Sequence, residues 1–291
     1  MNSPWNPSAQ YQKIVEANVR TYAEIAEQYD RIETCVVSRR CQTMLEEDID
    51  EILQMLRRSG SCKDIYALDA CGGSGNIALK LLTRYVRVVL CDVSPELIKA
   101  FDCKCKERGF EAETVCQEIG SFLSSTEKRF DLIVFSSALH HIEDYTGVLL
   151  LSKNRLNKGG VIYTVFDGTK RGLLSYLIMT ADYLVFEILN RPSKIISGIF
   201  KKIKRVKAGH MSDLNSKEKL ELTWENTGVL AEYYASSGID DITLVNRLSQ
   251  QGLEVIWHKR YPDARYTFFR LILRLFGRLT SFKLLLRHRG Q

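Results

Sequence analysis

Ile65-Tyr66-Ala67-Leu68-Asp69-Ala70-Cys71-Gly72-Gly73-Ser74-Gly75-Asn76 decides the fold of this 291-residue chain. It reads as an apolar strand, an acid, a glycine-rich turn and a helix starting near Asn76. That order builds a nucleotide-cofactor pocket. The strand carries the turn to the sheet edge, glycines let the backbone approach a ligand, and the next helix aims its N-terminus there. The turn alone does not choose the cofactor, because Gly73-Ser74-Gly75-Asn76-Ile77-Ala78 also fits the G-x-G-x-x-A dinucleotide pattern.

The flanking sequence narrows the choice. A second apolar strand over 86–91 ends at Asp92, about 20 residues past the turn, where an acid can hold both ribose hydroxyls. A third strand over 113–116 ends at Gln117 and Glu118, and a fourth over 130–135 ends in Ser136-Ser137-Ala138-Leu139-His140-His141. A helix over 145–156 and a turn at Asn157-Lys158-Gly159-Gly160 lead into a fifth strand over 161–166. Further on, a helix from Ile239 through Leu248, a sixth strand over 253–258 and a seventh over 281–287 complete the pattern, with a helix over 263–278 between the last two. Strands alternating with helices through short connections predict an α/β fold with a mostly parallel, Rossmann-like sheet covered on both faces.

These signals resemble the class I S-adenosylmethionine-dependent methyltransferases, and more narrowly the small-molecule branch containing ubiquinone and menaquinone biosynthesis enzymes. The resemblance is carried by Asp69 to Gly75, by Asp92, by Phe130-Asp131-Leu132-Ile133, by Leu139-His140-His141 and by Leu156-Asn157-Lys158-Gly159-Gly160. Tyr22 and Tyr29-Asp30 match its N-terminal signature, and Cys71 stands where the family's first-motif glycine is found. The resemblance implies seven strands with an antiparallel last one, and S-adenosyl-L-methionine as cofactor. Its cofactor contacts would be Asp69 (at the methionine ammonium, directly or through water), Ala70, Cys71, Gly73, Gly75, Asp92, Val93 and Ser136. Gln117, Glu118 and Ile119 would border the adenine. A nicotinamide dehydrogenase shares the turn and the ribose acid, but it predicts neither Asp69 nor the His-His tip.

His140 and His141 are the catalytic candidates, with His141 preferred. An imidazole at the strand-four tip can take a proton from a hydroxyl or phenol acceptor, so oxygen methylation is favoured. Alignment alone also accelerates methyl transfer, and such a histidine then only shapes the pocket. Tyr22 and Tyr29, two turns apart in a helical pattern, together with His210, Glu232 and Tyr233 are the candidate acceptor contacts. The tip lacks the Asp/Asn-Pro-Pro-Tyr type of sequence that amino methylation of DNA bases calls for.

The expected organisation is a helical cap over 1–62, a cofactor-binding core over 63–170, a helical insertion over 171–237 and a returning core over 238–291. The eight cysteines all precede residue 117, and none forms a C-x-x-C pair. No metal is expected, and the compartment reads as cytoplasmic and reducing. The net charge of +6 arises in the C-terminal part. The 194–207 segment sets Ile195, Ile199, Ile203 and Val206 against lysines with no acid, and 259–289 carries an Arg270, Arg274, Arg278 ridge beside Phe268, Leu271 and Leu275. Both read as basic amphipathic surfaces suited to peripheral contact with an anionic membrane. The expected partner is a small or lipid-like acceptor, and nucleic acid is not expected. The alternative of another class is a non-catalytic protein that binds the cofactor and retains the fold.

Overall fold

Alternation along β1 (Tyr66–Ala70) sets which side chains meet which helices. Successive strand residues point to opposite faces, so Leu68 and Ala70 join one apolar layer while Ala67 joins the other. In the computed structural model, residues 5–58, 64–170, 172–190, 238–264 and 266–288 are described. The elements are α1 (Ala9–Ile25), α2 (Tyr29–Ile32), α3 (Thr34–Val37), α4 (Arg39–Arg58), β1, α5 (Asn76–Leu82), β2 (Arg87–Asp92) and α6 (Pro95–Arg108). They continue with β3 (Glu113–Cys116), α7 (Ile119–Ser125), β4 (Phe130–Ser136), a 3-10 turn (Leu139–His141), α8 (Tyr145–Asn154) and β5 (Leu156–Gly168). Last come α9 (Leu173–Asn190), α10 (Asp241–Gln250), β6 (Leu253–Tyr261), α11 (Thr267–Leu275) and β7 (Ser281–His288).

The strands form one seven-stranded sheet in the order β3-β2-β1-β4-β5-β7-β6. The first five run parallel, and β7 lies antiparallel between β5 and β6. Two apolar layers sandwich it. One holds Phe122 and Leu123 of α7, Val148 and Leu149 of α8, and Leu244 and Leu248 of α10. The other holds α4, α5 and α6, with Leu45, Ile49, Ile52, Leu53 and Leu56 of α4 buried. That spacing is a single helical stripe, so α4 covers the sheet, whereas α1 to α3 lead up to it.

Local sequence explains the boundaries. The Ser94 hydroxyl accepts the Leu97 amide at 3.3 Å, Pro95 starts α6, and Gly109 ends it in a left-handed conformation. Strand β5 begins earlier than the glycine pair suggested, because Leu156 already pairs with Phe130 and the register then shifts before Val161 meets Leu132. A second irregularity follows in β5. Val165 pairs with Lys283 and Asp167 with Phe282, leaving Phe166 as an extra residue at φ +67°. The helical pattern over 14–29 is two helices, since α1 stops at Ile25 and Tyr29 opens α2. After α9 the described chain resumes at Gly238, and Ile239 bridges Thr169 beside the sheet. The basic 194–207 segment and His210, Glu232 and Tyr233 lie outside the described residues.

Candidate active site

The sheet's connection order reverses between β1 and β4, and ligands of open α/β sheets bind at the carboxyl ends of strands beside such a switch. A cleft partly open to solvent lies there. Its floor is Cys71 and Gly73 after β1, Asp92 and Val93 after β2, Glu118 and Ile119 at α7, and Ser136 and Ser137 after β4. Its roof is Tyr11, Val15, Asn18 and Tyr22 of α1 with Tyr29 of α2, and Leu97, His141 and Ile142 complete the wall.

The glycine turn behaves as its composition demands. Gly73 and Gly75 hold φ of +53° and +85°, and Cys71 adopts +55° despite its side chain. A Cβ on Gly73 would point into the cleft, 3.4 Å from Tyr29 Oη; on Gly75 it would fall 2.0 Å from the buried Phe101 ring. Of the two, only Gly73 lines the cleft, while Gly75 lets α5 start against α6. Burial raises the Cys71 thiol well above its usual range, so it lines the cleft as a neutral group.

Asp92 is buried at the turn. Its two carboxylate oxygens accept the Gly73 amide at 2.8 Å and the Ser94 amide at 2.8 Å, and burial still raises its pKa despite these donors. Glu118 caps α7 by accepting the Gly120 and Ser121 amides, and the Tyr11 hydroxyl donates to it at 3.0 Å. Tyr11 is pushed far up by burial and by this carboxylate.

The expectation for Asp69 needs correction. Its parity on β1 turns it to the α5 face and away from the cleft, where Oδ2 accepts the Ala78 amide at 2.9 Å. Oδ1 has no hydrogen-bond partner, and burial raises the carboxyl pKa to about 7. Ala70, Gly75, Gln117 and His140 are not among the residues that line the cleft. The Gln117 carbonyl accepts the Cys91 thiol.

At the strand-four tip, His141 lines the cleft and its Nε2 lies 3.2 Å from Tyr22 Oη. The Tyr22 ring meets His141 and Tyr29 edge-on, at centroid distances of 5.9 and 5.8 Å. Tyr22 and Tyr29 thus share the pocket although they sit on separate helices. The roof is latched to the turn: Asp30 accepts the Ser74 hydroxyl at 2.5 Å and pairs with Lys104, whose ammonium also donates to the Ser74 carbonyl.

Sequence reading missed Tyr11, Val15, Asn18, Leu97, Ser137 and Ile142. The first three and Tyr22 recur at steps of 4, 3 and 4, which is one helical face, and that signal was available. Asn18 is instructive. Its amide nitrogen donates to the Ile14 carbonyl at 3.0 Å, which orients the group and leaves a buried Oδ1 unpartnered at the cleft.

The residues fit an adenosyl cofactor. Gly73 is a cradle that a Cβ would fill, Asp92 is a buried acceptor for a diol, and Val93, Leu97 and Ile119 form an apolar wall for a flat ring.

Comparison with known proteins agrees. Residues 67–160 match the family described as methyltransferase domain. A tRNA 5-carboxymethoxyuridine methyltransferase of Escherichia coli K12 is 28% identical over 170 residues, 56% of this chain and 62% of that protein. The chain thus matches less than two thirds of the length of the curated relatives it resembles. Among solved structures, an S-adenosylmethionine-dependent methyltransferase of Clostridium acetobutylicum aligns with a TM-score of 0.53 at 13% identity, over 92% of this chain and 99% of that one. Magnesium protoporphyrin IX methyltransferase of Synechocystis, solved with bound S-adenosylmethionine, aligns at 0.52 and 10% identity, over 99% and 100%. The 4+2 cyclase SpnF aligns at 0.57 and 11%, over 99% and 98%, so the fold by itself does not name a reaction. Residues 67–160 are thus similar to a methyltransferase domain, set in a fold shared with S-adenosylmethionine-dependent methyltransferases.

Proposed function

We propose that this protein transfers a methyl group from S-adenosyl-L-methionine to an oxygen of a small, lipophilic acceptor. The observation that carries this reading is the Tyr22–His141 pair at the strand-four end of a cleft that also presents the apolar and aromatic side chains of Val15, Ile142, Tyr11 and Tyr29. The bound cofactor supplies an activated methyl on a sulfonium, which leaves binding, orientation and proton handling to the protein. Asp92 holds the ribose, Gly73 presents backbone to the cofactor, and Val93, Leu97 and Ile119 exclude water around its ring. His141, steadied by Tyr22, takes the proton that an O–H acceptor gives up. Val15, Leu97, Ile119 and Ile142 in the cleft lining support the lipophilic character of the acceptor.

A second reading, a tRNA nucleoside acceptor, draws support from the E. coli relatives named for acting on tRNA 5-carboxymethoxyuridine. Labelled methyl transfer to a lipid extract and to bulk tRNA, run side by side, separates the two. Label in tRNA alone rejects the lipophilic acceptor. Product binding without transfer to either pool returns the non-catalytic reading.

Peripheral contact with an anionic bilayer belongs to the same proposal. Leu173, Tyr176 and Leu177 of α9 and Phe268, Leu271 and Leu275 of α11 are exposed, with Arg270, Arg274 and Arg278 nearby. No helix among the described residues is long and apolar enough to cross a membrane. Co-sedimentation with phosphatidylserine liposomes that weakens in high salt supports surface contact; sedimentation equal to that with neutral liposomes rejects it.

A further inference from the structure

The tip of strand four is held from behind by a group no motif marks. The extra residue in β5, Phe166, adopts φ +67°, and its amide, displaced from the ladder, donates to Tyr261 Oη at 3.2 Å. Bulges of this kind re-aim the following side chain and cluster beside functional sites. Here the re-aimed residue is Asp167, which has no solvent exposure. Its Oδ1 accepts the His140 backbone amide at 3.1 Å and lies 2.9 Å from His140 Nδ1. Its Oδ2 has no hydrogen-bond partner. The same Oδ1 that accepts the backbone amide faces Nδ1 as an acceptor, so Nδ1 of His140 carries a proton. The His140 ring in turn lies against His141, with centroids 4.0 Å apart, and Tyr22 meets His141 from the cleft side.

We infer that Asp167 is a positioning residue for methyl transfer: through the bulge at Phe166 it locks His140 in the Nδ1-protonated form and so wedges His141 against Tyr22. The inference rests on the role proposed for His141, but the tautomer can be read without any acceptor. A buried carboxylate with one oxygen unpaired is costly for a fold to keep. Metal-site and triad histidines are oriented by the same device, in which the partner at one ring nitrogen fixes what the other can do.

Long-range proton–nitrogen correlation spectra of the full chain, labelled at histidine and assigned with His140→Gln, test this. The wild type should show the Nδ1–H form at His140. Asp167→Asn should keep it, because an amide oxygen in the same place accepts both N–H groups. Asp167→Ala should move His140 toward the Nε2–H form and displace the His141 and Tyr22 ring signals, while S-adenosylhomocysteine affinity stays within twofold. A wild-type Nε2–H form, or unchanged His140 and His141 signals in Asp167→Ala, overturns the inference. Should Asp167→Ala fail to fold, loss of the Nδ1–H form in Asp167→Asn does the same. Absence of S-adenosylhomocysteine binding by the wild type instead rejects the proposed function and leaves the tautomer result standing.

Discussion

Two glycines in one turn should fail in different ways when each is replaced by alanine. At Gly75 the new Cβ would fall 2.0 Å from Cδ2 of Phe101, a ring with no exposure. The left-handed backbone at +85° costs a non-glycine residue about 1–2 kcal/mol, and forcing a buried ring aside costs about 1–3 kcal/mol. Gly75→Ala should therefore lose about 2–5 kcal/mol, on the order of 10 °C in Tm for a chain of this size. Gly73→Ala meets only the hydroxyl of Tyr29 at 3.4 Å and incurs the backbone cost alone, roughly 1 kcal/mol. Its methyl instead occupies the cleft, so S-adenosylhomocysteine affinity should fall at least tenfold by isothermal titration. Thermal unfolding and titration of both variants form one experiment. Equal stability losses, or wild-type affinity in Gly73→Ala, would refute the assignment of Gly75 to packing and Gly73 to the ligand.

Asp69 predicts a pH dependence. Its carboxyl, near 3.8 when unfolded, is raised to about 7 by burial, so the folded state holds the proton longer. Stability is then greatest below about pH 4, falls as pH rises toward 7 and is flat above, by at most about 4 kcal/mol in all. Asp69→Asn should flatten most of that slope, the remainder coming from Asp92, which burial shifts the same way; an unchanged slope contradicts it. On the far face, buried Asp48 accepts from the Tyr163 hydroxyl at 2.7 Å and pairs with Lys283 at 2.5 Å. Lys283→Met should cost about 3–5 kcal/mol by stranding the carboxylate, and adding Asp48→Leu should recover most of it in urea unfolding; a single-variant loss below about 1 kcal/mol disproves the coupling. Asp30→Ala releases the latch to Ser74 and Lys104. The ion pair is partly exposed, so stability should change by less than about 1 kcal/mol, while trypsin should cut after Arg31 several-fold faster. Wild-type cleavage rates would mean that the latch does not hold the roof.

The parallel core was legible because apolar runs, turn glycines and strand-end acids repeat in a fixed order between residues 65 and 166. The floor of the cleft followed from it, as Gly73, Asp92, Glu118, Ile119 and Ser136 all line it. What escaped depends on which way a side chain turns. Asp69 looked like a ligand contact, but strand parity aims it at α5. Gly75 looked equivalent to Gly73, yet it packs on Phe101. His140 and His141 are neighbours with the same chemistry, and the contact that sets His140 apart comes from Asp167, beside a bulge at Phe166 twenty-six residues later. The α1 face escaped for a different reason: Asn18 is polar, so a hydrophobic stripe excludes it although it is buried.

The antiparallel β7 has a consequence for how the chain is made. Because β7 sits between β5 and β6, the free edge of β5 waits for residues 281–288, and β6 has no neighbour until then. A nascent chain ending anywhere between 168 and 280 presents Val161 to Val165 as an open, strongly apolar β-edge, the kind of template that recruits other chains. Folding on the ribosome can close the cofactor half early. The sheet itself is sealed only when β7 has emerged, which makes truncation near residue 280 a route to aggregation rather than to a smaller working domain.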